Sequence, residues 1–224
     1  MKRRKFIHIV SLSTIAFLLP LKTKAEIFTT TVRTKTSEYV KKIIEIIHLL
    51  KTKGTNLVLK IMNGKEYKFD PTVHYPYDGG IYDEQTKCRV FFHAHRKNEY
   101  GHFHTFTEDN KGNLIHLVLI SMNKEGIPIG LSTVNRWVTG DKYVKANELK
   151  QYLERFSINK NLFKEEKVLE FIQYIFKAYK SEIFDLFDKR DAWIEQYVNT
   201  NYNEPFEDRN YEVLSSVKIN VFNN

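Results

Sequence analysis

Val90-Phe-Phe-His93-Ala-His95-Arg-Lys-Asn-Glu-Tyr-Gly-His102-Phe-His104-Thr-Phe106 holds four of the chain's eight histidines, as two His-x-His pairs either side of a short polar stretch. Strand side chains alternate faces, so each pair puts both imidazoles on one face. The flanking aromatic and β-branched residues suit strands. A hairpin turning about Lys97–Tyr100 predicts His95 opposite His102 and His93 opposite His104. Directly opposed residues share a face, with Cβ atoms about 4.5–5.5 Å apart. His93, His95, His102 and His104 would then form a two-by-two patch and a candidate metal site, whose nitrogens must converge to about 2.0–2.1 Å from an ion.

Working outward from this hairpin, the rest of the chain divides at about residue 140. Thr36-Ser37 predicts a helix cap, with a helix running to Lys53 and ending at Gly54; Val40, Ile43, Ile44, Ile47 and Leu50 are its apolar stripe. Leu57, Leu59 and Ile61 alternate before Asn63-Gly64, and Tyr67 and Phe69 resume the alternation, which predicts a further hairpin. Asp70 to Asp83 reads as a loop rich in Tyr, Pro and Gly. Leu114–Ser121 is apolar on both faces except for His116, as in a strand inside a sheet. Glu125-Gly126 turns the chain towards Gly130–Thr139, the pattern is helical from about Val144 to Val198, and Val213–Val221 adds a last strand. Strands first and helices later predict an α+β fold: an antiparallel sheet with the His-bearing hairpin, one N-terminal helix and a C-terminal helical layer.

The N-terminus has the layout of a secretory signal: Lys2-Arg3-Arg4-Lys5, an apolar run from Phe6 to Leu19, then Pro20 and a cleavage site at Thr23-Lys-Ala25. The run is short for a permanent membrane span, which needs about 20 apolar residues. Arg3-Arg4 resembles the twin-arginine export motif, although Lys2 stands where Ser or Thr is usual. The expected division is a signal peptide over 1–25 and one globular α+β domain over 26–224, exported to the periplasm or cell envelope. Removing residues 1–25 takes away six basic residues and no acid, lowering the formal charge from +8 to +2. The basic balance thus belongs to the targeting segment, and no nucleic-acid partner or permanent transmembrane anchor is expected. Cys88 is the only cysteine, so metal ligands must be imidazoles or carboxylates.

Other candidates carry bland readings beside the functional ones. Asp78 and Asp83 could ligate a metal, support an imidazole or act as a base; turn chemistry explains both, and is preferred for Asp83. Asn135 and Arg136, before Trp137, could clamp a ligand; the preferred alternative is a buried Trp with Arg136 paired to an acid such as Asp191. His116 is a candidate supporting group. Arg96 could bind an anion, but strand alternation turns it from the histidines. His93-x-His95-x-x-x-Glu99 is similar to the first half of the cupin metal motif, yet the flanking glycines and the second motif are missing, and Glu99 is expected in a solvated turn.

Tyr75-Pro76 with Asp78 and Asp83, Phe92-His93-Ala94-His95-Arg96, Gly101-His102-Phe103-His104-Thr105-Phe106 and Asn135-Arg136-Trp137-Val138-Thr139-Gly140 together resemble a bacterial domain-of-unknown-function family of the DUF6969 type, over roughly residues 70 to 220. Phe92, Val134 and Asp141 depart from its usual Tyr, Thr and Glu. The resemblance transfers no activity. Three readings stay open: a metal-dependent enzyme, hydrolytic or oxidative; a non-catalytic metal- or ligand-binding envelope protein; and a structural polar core of histidines without a ligand. Imidazole suits Zn, Cu, Fe and Ni alike, so the metal, substrate and reaction stay open.

Overall fold

The computed structural model describes residues 24–201 and 204–223, with side chains from Ser37 onward. Among these, seven strands make one antiparallel sheet: β1 (Asp70–Tyr75), β2 (Ile81–Asp83), β3 (Cys88–Ala94), β4 (Gly101–Glu108), β5 (Leu114–Met122), β6 (Pro128–Val134) and β7 (Val213–Lys218). Their order is β1-β3-β4-β5-β6-β7, with β2 also paired to β3. The helices are α1 (Lys24–Thr52), α2 (Leu57–Met62), α3 (Arg136–Thr139), α4 (Ala146–Arg155), α5 (Glu166–Ala178) and α6 (Lys180–Asn201). The fold is α+β, as the two periodicities predict. The signal-peptide reading lies outside the described residues, apart from Lys24 and Ala25, which open α1. No helix among the described residues is long and apolar enough to cross a membrane.

The core lies between one sheet face and the helices. Val90 and Phe92 of β3, Phe103 of β4, and Ile115, Leu117, Val118 and Ile120 of β5 are buried with Ile43 and Ile47 of α1, Phe171 and Ile172 of α5, and Leu186 and Phe187 of α6. Phe103 meets Phe171 across this layer at 6.2 Å between ring centroids. Ser215 of β7 donates to the Leu186 carbonyl at 2.8 Å, tying the last strand to α6. The α1 stripe is as predicted except that Ile46 is fully packed while Ile44 is only partly buried.

Three expectations are corrected. Thr36-Ser37 does not start a helix, because α1 is already helical from Lys24; Ser and Thr cost only a few tenths of a kcal/mol inside a helix, so a cap signal need not stop one. Residues 57–62 form a helix and not a strand. Leu57, Val58, Ile61 and Met62 are buried while Leu59 is 48% exposed, which is helical spacing. Asn56 caps α2 by accepting from Leu59 N at 3.0 Å, and Asn63 ends it in the left-handed region (φ 55), so Asn63-Gly64 is a helix stop and not a hairpin turn. Residues 70–83 are not a plain loop: β1 and β2 both pair with β3.

The His hairpin forms in a register two residues from the expected one. His93 faces His102 and Phe91 faces His104. A slip of two keeps every side chain on its face, whereas a slip of one would reverse it. The register fits the packing of Phe92. A Cβ on Gly101 would lie 2.3 Å from the Phe92 ring, so only glycine lets that ring cover the start of β4. The connection therefore lengthens to take in His95 and Arg96.

The α2 correction has a direct test. Leu59→Lys is expected to leave the urea midpoint within about 0.5 kcal/mol of the parent, as surface changes usually do. Val58→Lys and Ile61→Ala should each cost about 2 kcal/mol or more. Equal penalties at residues 59 and 61 would restore the strand.

Candidate metal centre

β3 and β4 bring the imidazoles together on the sheet face opposite Phe92 and Phe103. Ring centroids lie 4.4 Å apart for His93–His102, 4.8 Å for His93–His104 and 4.9 Å for His102–His104. His95, just past the end of β3, lies 4.7 Å from His93 and 4.9 Å from His102. One ligand nitrogen from each of His93, His95 and His102 falls within 4.8 Å of the other two. His104 touches two of these rings but stands outside the trio, and its Nδ1 lies 3.0 Å from His116 Nε2.

A bulge brings in His116. The pairing of β4 with β5 runs His104↔Leu119 and then Phe106↔His116, a shift of one residue. Such a shift exchanges faces, which puts His116 beside His104 and Phe106, each 5.0 Å away between centroids. Thr105 stitches the irregularity: its hydroxyl donates to Val118 O at 2.7 Å and accepts from Val118 N at 3.1 Å.

Hydrogen bonding fixes which nitrogens stay free. His93 Nδ1 donates to the Pro71 carbonyl at 3.3 Å. His102 Nδ1 donates to the Glu99 carboxylate. A carbonyl and an ionised carboxylate only accept, so a neutral ring bonded through Nδ1 keeps its lone pair on Nε2. The Nε2 atoms of His93, His102 and His104 are buried, and none has a hydrogen-bond partner among the described residues. Buried polar atoms without partners are uncommon and call for an explanation.

Glu99 was missed by the sequence reading. Its side chain is 4% exposed, not solvated. The connection it sits on is pinned: Tyr100 N donates to Met122 O at 2.9 Å, and Tyr67 stacks on Tyr100 at 4.2 Å while its hydroxyl donates to Tyr100 O. Arg96 does not turn away either. It lies 3.7 Å from Glu99 and 3.3 Å from Glu212, the residue before β7. The His-x-His-x-x-x-Glu spacing was the available signal. His95, Arg96, Lys97, Asn98, Glu99 and Glu212 line a cleft of about 300 Å³.

The other candidates lie elsewhere. Asp78 is exposed in the β1–β2 connection, near His74. Asp83 is buried and follows turn chemistry, accepting from the backbone N–H of Gln85, Thr86 and Asn159. Asn135 accepts from Arg136 N at the start of α3 and donates to the Pro205, Asp208 and Tyr211 carbonyls. Arg136 pairs with Glu207 at 3.0 Å. Asp191, its expected partner, is held by Arg190, Tyr143 and Ala146 N. Trp137 is half-buried and donates to Tyr211 O.

Burial holds the histidines neutral. It pushes His93 down to about 2, helped by the adjacent His102 and His95. It lowers His116 to about 3 and takes His102 and His104 well below the usual imidazole range. Unfolded histidines take up protons near pH 6.5 while these folded ones do not, so the unfolded chain binds more protons below that pH. Stability is then fully present above pH 6.5 and falls as the pH drops towards the folded values. Each such histidine contributes up to about 1.4 kcal/mol per pH unit. The urea midpoint of metal-free protein is expected to fall between pH 7 and 5.5; a flat midpoint would mean that the rings protonate when folded.

The described site and all seven strands lie within residues 37–219, the part of the chain that matches the family described as Domain of unknown function (DUF6969). No curated protein and no solved structure matches the chain. With most of its length inside that match, the chain belongs to the DUF6969 family.

Proposed function

We propose that this protein binds one transition-metal ion through His93, His95 and His102, and that it works as a metal-dependent enzyme, hydrolytic or oxidative. The carrying observation is the pair of buried, unpartnered Nε2 atoms on His93 and His102, whose Nδ1 atoms are already engaged. A purely structural histidine core would be expected to satisfy those nitrogens. Three protein ligands with a further position left open is the arrangement of catalytic sites, whereas closed four-ligand sites are structural. The cleft beside His95 offers room for a small ligand next to the ion. The ion would supply Lewis acidity or redox chemistry; the chain holds three neutral donors in place and excludes water from two of them.

Metal analysis of untagged protein should find about one ion per chain. His93→Ala, His95→Ala and His102→Ala should each lower that content severalfold, and His48→Ala, on α1, should not. Retention by His104→Ala supports the three-ligand enzyme site. Loss comparable to the other three favours a closed, four-histidine binding module. An ion at about 100 times its Kd stabilises the native state by about 2.7 kcal/mol, expected as a rise in Tm of about 5–10 °C. No bound metal and no shift with any added ion would end the metal reading.

The proposal includes export, supported by Arg3-Arg4 and the apolar run to Leu19. Replacing Arg3 and Arg4 by Lys should hold the precursor in the cytoplasm; unchanged export would exclude the twin-arginine route.

A further inference from the structure

We propose that Glu99 is a positioning residue of the metal centre: it accepts a hydrogen bond from the Nδ1–H of His102 and so keeps Nε2 free and aimed at the ion. This rests on the metal reading above. The carboxylate is buried and bonded to a fully buried ring, so the hydrogen bond is shielded from water. Burial pushes the Glu99 carboxyl up, and the side chain of Ser121, which lies opposite His102 in the β4–β5 pairing, favours its charged form. Arg96, 3.7 Å from Glu99, compensates its charge and is itself held by Glu212. Glu99 therefore has a fixed geometry on both sides. His93 has the corresponding support from a backbone carbonyl, which no substitution can remove. Among the described side chains, Glu99 is the one that hydrogen-bonds a proposed ligand without being a proposed ligand itself, so its replacement should change that imidazole's tautomer and leave the ligand set intact. Partners of this kind orient metal-bound histidines and raise their basicity.

The test compares Glu99→Met and Glu99→Gln with the parent full-length chain, using Zn(II) competition against a chromogenic chelator and ¹⁵N spectra of the imidazoles in metal-free protein. Met fills similar volume with no strong acceptor; Gln keeps an acceptor oxygen. The expected result is His102 protonated at Nδ1 in the parent, with Zn(II) affinity about 10–100-fold weaker in Glu99→Met. Glu99→Gln should recover most of the loss, and the Co(II) absorption band should differ between Glu99→Gln and the parent. Parent-like affinity in Glu99→Met would overturn the proposal and leave the metal site standing. Loss in Glu99→Gln as complete as in His102→Ala would make Glu99 a ligand and also overturn it. Parent protein that binds no metal would remove the reading beneath it. If Glu99→Met does not fold, the parent spectrum still decides: His102 protonated at Nε2 overturns the proposal.

Discussion

The pleat of a β-strand sends successive side chains to opposite faces, and the candidate site depends on that geometry. In β3 and β4 it separates Phe92 and Phe103, which join the helix-covered core, from His93, His102 and His104, which face the other way. The two sets cannot be exchanged. A slip of one residue would bury imidazoles among the aliphatic side chains of α1 and α5 and take the phenylalanines out of that core. Burial of Phe92 against Gly101 therefore holds the histidines in place without touching them.

Much of this geometry was legible in the sequence. The alternation in Val90–Phe106 was enough for the shared face, because errors of two residues preserve it. The exact partners were not legible, since they depend on how Phe92 fits over Gly101 and on a connection longer than a tight turn. The α2 segment shows the opposite failure. Leu57, Leu59 and Ile61 alternate in the letters, but the burial of Val58 comes only from packing, and helix and strand patterns coincide over so few residues.

Glu99 and His116 show why the surroundings of a candidate site are harder to read than its central histidines. Polar residues in a short connection are usually solvated. Glu99 is buried because Tyr67, distant in sequence, pins the next residue. His116 reaches the cluster through a one-residue bulge, and bulges leave no reliable mark in residue spacing. Asp83 was readable as a turn residue because that role needs only near neighbours, yet it also reaches the backbone of Asn159; the helix-start role of Asn135 was not read, and its side chain too binds distant backbone, in the segment before β7.

Glu212, which steadies Arg96, comes almost at the end of the chain, and β7 pairs with β6 only after α4, α5 and α6 have been laid down. His93 and His102 belong to one local hairpin. Contacts close in sequence form fastest, and those closing long loops form late. During synthesis the imidazoles can gather while the C-terminal wall of the cleft is still inside the ribosome. The candidate cleft is thus complete only once Glu212 is in place, whereas the histidine hairpin beside it is local in sequence.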